Sequence, residues 1–121
     1  MKKILIVDDQ LEVRELVEAT LRGDNYEIFQ AESGEKAIEI AKKEKPDLII
    51  MDVMMPGGMD GLEATRRIKN NPDTKDCKVI MLTAKGQETD KEKGYEVGAD
   101  DYFIKPFSPF ELIRKVEEIF E

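Results

Sequence analysis

Short apolar runs alternate with amphipathic runs along the whole chain. Ile4-Leu5-Ile6-Val7 is apolar at every position and rich in β-branched residues, which predicts a strand buried on both faces. Val13, Leu16, Val17, Thr20 and Leu21 follow at helical spacing, and Gly23 stands where a C-terminal cap belongs. Tyr26 to Ala31 reads as a weaker strand. Ser33 can cap a second helix carrying Ala37, Ile38 and Ala41, which stops before Pro46. Leu48-Ile49-Ile50-Met51 and Val79-Ile80-Met81-Leu82 are two more buried strands. Between them, Asp60 and Glu63 have capping-box spacing at the head of a helix through Ala64 and Ile68, stopped at Pro72. Gln87 to Val97 predicts a helix only weakly, being mostly charged and carrying Gly94 at a cost of about 1 kcal/mol relative to Ala. Tyr102-Phe103-Ile104 is the last strand. Ser108-Pro109-Phe110-Glu111 is a strong helix start, with Phe110, Ile113, Val116 and Phe120 as the expected core stripe.

Five strands alternating with five helices predict an α/β fold: a parallel sheet, doubly wound, with helices on both faces. Right-handed crossovers restrict its topology. With 121 residues and no stretch resembling a linker, the chain reads as a single domain over 1–121, with no residues left for an output domain. In such sheets ligands bind beyond the carboxyl ends of the strands, where the strand order reverses.

Charge narrows the partners. Lys and Arg number 19 against 27 Asp and Glu, a net charge of −8, which argues against direct nucleic-acid binding and against anionic membrane surfaces. The absence of His removes Ser-His and Cys-His catalysis, His-ligated zinc and any phosphohistidine on this chain. Cys77, the single cysteine, can form no internal disulfide and reads as a small buried hydrophobe. The opening apolar stretch is too short for a signal peptide or a spanning helix, so the expected location is the cytoplasm.

The strand ends carry the chemistry. The first apolar strand ends in Asp8-Asp9, the third in Asp52, the fourth in Thr83-Ala84 and the fifth in Lys105-Pro106. Parallel strands put these ends on one edge, so three carboxylates, a hydroxyl and an ammonium converge if the first and third strands are neighbours. Taken singly, Asp8 or Asp9 reads as a helix cap, Asp52 as a turn opener, Thr83 as a strand-end hydroxyl and Lys105 as surface charge. Their joint placement favours a site. Two unit charges ~4 Å apart repel by roughly 4 kcal/mol at an effective dielectric of about 20. Such a cluster persists if some carboxylates are neutral or a divalent cation sits among them, and oxygen-only donors suit Mg²⁺ or Mn²⁺ better than zinc.

These residues lie in ILIVDDQ, PDLIIMDVMMP, MDGLE, VIMLTAK and GADDYFIKPF, and with those segments the chain resembles the receiver domain of two-component response regulators over its whole length. The resemblance implies a flavodoxin-like, CheY-like five-stranded sheet of order 2-1-3-4-5. It implies Asp52 as phosphoacceptor. Asp8 and Asp9 would hold Mg²⁺, Asp9 more directly, together with Asp52 and the backbone carbonyl of Met54. Thr83 would bond the phosphoryl group, Lys105 would pair with a phosphoryl oxygen, and Tyr102 would be an aromatic switch. The Lys105-Pro106 bond would be cis. The implied donor is a sensor histidine kinase or a histidine phosphotransfer protein. The implied output is a downstream protein, reached through the face of the fourth helix, fifth strand and fifth helix by a monomer or a weak phosphorylation-dependent dimer. Such a protein catalyses its own phosphotransfer and autodephosphorylation and turns over no external substrate.

One departure stands out. Pro56-Gly57-Gly58-Met59-Asp60-Gly61 has one residue more than the family commonly has before the Met-Asp-Gly, and the extra glycine is expected to lengthen or loosen the loop beside Asp52. The resemblance also implies that Met54 and Lys85 take the positions whose side chains flank the attacking water, and since Met54 hydrogen-bonds water poorly, slow self-dephosphorylation is expected. Met51, Met54, Met55, Met59 and Met81 read as core or loop filler. The alternative functions are a pseudo-receiver that binds partners without phosphorylation, an aspartyl-phosphate hydrolase and a flavin carrier. The last two lack, respectively, an Asp two residues after Asp52 and a phosphate-binding loop after the first strand.

Overall fold

A computed structural model of the chain has ten elements in strict alternation: β1 (Lys2–Val7), α1 (Leu11–Leu21), β2 (Tyr26–Ala31), α2 (Gly34–Glu44), β3 (Leu48–Asp52), α3 (Gly61–Lys69), β4 (Lys78–Ala84), α4 (Glu88–Glu96), β5 (Asp101–Lys105) and α5 (Pro109–Phe120). It describes residues 1–23, 25–84 and 88–121, the side chains of 88–90 aside. Gln87, the expected start of the fourth helix, and Lys85 lie outside the described residues. The strands form one sheet in the order β2-β1-β3-β4-β5, every neighbouring pair parallel. This is the CheY-like, flavodoxin-like arrangement, with its reversal of strand order between β1 and β3.

The fully apolar runs occupy the middle of the sheet because both their faces are covered. Leu5, Val7, Ile49, Met51, Val79 and Met81 pack with Ala37 and Ala41 of α2 and with Ala64 and Ile68 of α3. Ile4, Ile6, Leu48, Ile50, Ile80 and Leu82 point the other way, onto Val17 and Leu21 of α1 and Leu112 and Val116 of α5. The edge strands β2 and β5 are mostly half-buried, which is why their sequence pattern is weaker. Among the described residues no helix is long and apolar enough to cross a membrane.

The caps follow the sequence. Ser33 Oγ accepts from Lys36 N at 3.1 Å, and Ser108 Oγ accepts from Glu111 N at 3.1 Å. Asp60 Oδ1 accepts from Glu63 N at 2.8 Å, but only half of the capping box forms. The Glu63 carboxylate accepts from Arg66 and, at 2.8 Å, from Arg67 Nε instead of reaching back. Gly23 follows α1 at a φ of 95°, a left-handed turn that favours glycine.

Two expectations are corrected. Phe110 is not in the core: it is 84% exposed, while Leu112, absent from the expected stripe, is fully buried. Phe110 precedes Val116 by six positions, about 120° round the helix, whereas Leu112 precedes it by four and shares its face. Ile113 and Phe120 are half-buried flanks of that face. Leu16 keeps helical spacing but is exposed on the outer side of α1.

Candidate functional site

The register of the two central strands builds an acidic pocket. Paired residues run from Ile4↔Leu48 to Val7↔Met51, so Asp8 and Asp52 come next to each other at the carboxyl edge of the sheet. One carboxylate oxygen from each of Asp8, Asp9 and Asp52 lies within 4.8 Å of the other two. Asp8 and Asp52 are buried, and Asp9 is exposed. Lys105 closes the pocket from the end of β5. Its Nζ donates to Asp8 Oδ2 at 3.0 Å and to Asp52 Oδ1 at 3.1 Å. The Lys105-Pro106 peptide bond is cis.

This crowding shows in the titration of the groups. Burial, and after it the negative charge of Asp8, push the Asp52 carboxyl up to about 6, against the opposite pull of Lys105. Burial alone would lower the Lys105 pKa, but the Asp52 and Asp8 carboxylates outweigh it and hold the ammonium above its ordinary value.

Thr83 and Tyr102 occupy neighbouring strands on one side of the pocket. Asp52 pairs with Leu82, so Thr83 is one residue further along β4. Thr83 is 3% exposed, and its hydroxyl has no hydrogen-bond partner among the described residues. Tyr102 pairs with Met81 and is half-buried against the core beneath α4. Two α4 side chains grip its ring. Lys91 Nζ sits 4.4 Å from the ring centroid, and Tyr95 meets the ring edge-on at 6.1 Å.

The loop after β3 carries Met54, which is 64% exposed and so a loop rather than a core residue, while Met55 is buried. Gly57 has a φ of 89° with open space around it. Met59 N donates to Glu35 Oε2 of α2 at 3.4 Å, so the loop with the extra glycine is tied to the neighbouring helix.

Sequence reasoning missed the physical role of Gly61. A Cβ there would overlap the main-chain carbonyl of Asp52, and Gly61 N donates to Val53 O at 3.0 Å. The first residue of α3 therefore presses directly on the backbone of Asp52. Lys91 and Tyr95 were missed as well, because only the pairing of β4 with β5 brings Tyr102 under α4.

The family model described as response regulator receiver domain matches residues 4–117. Phosphate regulon transcriptional regulatory protein PhoB of Pseudomonas aeruginosa is 47% identical over 118 residues, which are 98% of this chain and 51% of that protein. The chain spans about half the length of the curated relatives it matches. Among solved structures, chemotaxis protein CheY4 of Vibrio cholerae superposes with a TM-score of 0.91 at 34% identity, covering 98% of both chains. The receiver domain of sensor histidine kinase PA1611 from Pseudomonas aeruginosa, solved with a magnesium ion coordinated in its active site cleft, superposes with a TM-score of 0.88 at 32% identity, covering 99% of this chain and 98% of the other. The match runs nearly end to end on the sheet order described above, and the chain belongs to the response regulator receiver domain family.

Proposed function

We propose that residues 1–121 act as a phosphorylation-dependent receiver and that Asp52 accepts the phosphoryl group. The supporting observation is the cluster of three carboxylates within 4.8 Å of one another, two of which, Asp8 and Asp52, are bridged by Lys105. Its hard oxygen donors and excess negative charge fit Mg²⁺, or Mn²⁺, better than any softer metal. Asp8, Asp9, Asp52 and the Met54 carbonyl would hold the ion, as a receiver relative holds magnesium in its cleft. When bound, the cation neutralises phosphoryl oxygens and helps to align them.

Lys105 engages Asp52 Oδ1, leaving Oδ2 without a hydrogen bond from the described residues. An oxygen of this carboxylate attacks phosphorus in line. The new O–P bond makes an acyl phosphate, while the P–N bond of the donor phosphohistidine breaks and the imidazole leaves with the electron pair. Such a transition state needs positioning and charge neutralisation more than acid-base help. Lys105 supplies one charge, and the Thr83 hydroxyl donates to a phosphoryl oxygen. Drawing Thr83 inward opens room for Tyr102, which changes the surface of α4, β5 and α5 that a downstream protein reads. A sensor histidine kinase or a histidine phosphotransfer protein fits as donor.

Acetyl phosphate with Mg²⁺, read by intact mass, tests this. One added phosphate on the wild type, none on Asp52→Asn and none in EDTA is the expected result. A folded wild type that stays unmodified would leave the phosphorylation-independent pseudo-receiver reading in its place.

A further inference from the structure

Asp8 is held at every polar atom it has. Its amide donates to Ala31 O at 3.2 Å, Oδ1 accepts from Gln10 N at 2.9 Å, and Oδ2 accepts from Lys105 Nζ at 3.0 Å. Its carbonyl accepts from Arg14 Nη1 at 2.6 Å. Arg14, on α1, is itself braced. Its Nε donates to Gln30 Oε1 of β2 at 3.0 Å, and Gln30 Nε2 donates to Glu18 Oε1 at 2.7 Å. A relay thus runs from α1 across β2 to the end of β1.

The Asp8 carbonyl and the Asp9 amide belong to one planar peptide unit, so fixing the direction of the carbonyl fixes where Asp9 begins. Asp9 is the exposed member of the acidic cluster, and its carboxylate accepts no hydrogen bond from the described residues. The aim of its side chain is therefore set by the backbone. Resting on the reading of Asp8, Asp9 and Asp52 as a divalent-cation site, we propose that Arg14 is a positioning residue for that site: braced by Gln30 and Glu18, it locks the Asp8–Asp9 peptide so that the Asp9 carboxylate meets the other two.

Two effects of Arg14 oppose each other, which makes the proposal decidable. A guanidinium near a cation site repels the ion, so removing its charge alone would tighten binding. Removing the clamp frees the peptide and weakens binding, and partners behind a ligand tune metal affinity by roughly 10–100-fold. The sign of the change separates the two.

Mg²⁺ affinity is to be measured by calorimetric titration and by the amide shifts of Asp9 and Gln10 in the wild type, Arg14→Gln, Arg14→Lys and Gln30→Met. Melting in EDTA follows the fold separately, and all titrations are run below the lowest melting temperature. Arg14→Gln is expected to bind about tenfold more weakly, at the low end of that range. Arg14→Lys keeps the charge but lacks the fork that makes both contacts, and is expected to weaken too. Gln30→Met alters no charge, is expected to weaken binding by a smaller factor, and carries the test alone if the Arg14 variants do not fold. Binding by Arg14→Gln as tight as the wild type or tighter, or an unchanged Gln30→Met, overturns the proposal. A wild type that takes up no Mg²⁺ overturns the underlying reading of the site instead.

Discussion

Leu112 and Phe110 stand two positions apart on α5 and meet opposite surroundings, one sealed in the core and the other almost wholly in water. Leu112→Ala should cost about 2–5 kcal/mol in urea denaturation, the usual range for a cavity of that size. Phe110→Ser should change stability by no more than about 0.5 kcal/mol. A reversed order would mean that the helix sits rotated on the sheet. At this scale the sequence was legible where a residue's position along its own strand decides its role. Asp8, Asp9, Asp52 and Lys105 each end an apolar run, and parallel pairing brings them together. Gly61 and Arg14 were not legible in that way, because their roles depend on distances across the fold: a carbonyl pressed against a missing Cβ, and a side chain reaching back to the end of β1. Cys77 is the small buried residue expected, and burial pushes its thiol pKa up, away from reactivity.

Among the elements, α4 differs in kind. Of its described residues only Gly94 is buried, with a would-be Cβ 3.3 Å from Met81 Cγ, so the glycine that weakens the helix also lets it approach β4. A further hold is on Tyr102, through Lys91 above its ring and Tyr95 at its edge. An edge-to-face aromatic pair contributes roughly 0.5–1.5 kcal/mol beyond buried area. Local opening of α4 should therefore respond to Tyr102. Tyr102→Ala is expected to speed amide exchange over residues 91–96 by about tenfold while leaving α1 unchanged. Exchange in α4 that stays at the wild-type rate would show that the helix is held by something other than this grip. The weak helical signal in the sequence was thus informative about stability, but the grip itself was invisible, since it joins side chains from two separate elements.

For the molecule as a whole, the acidic pocket sets a pH dependence. The Asp52 pKa stands near 6 in the folded chain against an ordinary 3.8, so between those values the folded state binds the extra proton. This contribution to stability is complete below about 3.8 and is lost as pH rises towards 6, a span worth about 3 kcal/mol. In EDTA, Asp52→Asn should match the wild type near pH 4 and exceed it by up to about 3 kcal/mol at pH 7, measured by urea denaturation at each pH. Mg²⁺ should shrink that gap, because a ligand of the folded state stabilises it. A gap that does not vary with pH would mean that Asp52 ionises normally. The opposite rim of the sheet carries carboxylates as well, each engaged by backbone or lysine donors. There Asp47 accepts from Lys3 N at 2.8 Å, and Asp100 accepts from Val79 N at 2.8 Å and from Lys69 Nζ at 2.9 Å. The seam between α3 and β3 couples the acidic rim to the rest of the fold. Gly61 meets the Asp52 carbonyl with no side chain between them, and a joint of bare backbone has no rotamer to take up slack. A shift of the main chain at 52 would therefore press on the head of α3 as directly as one gear tooth on the next.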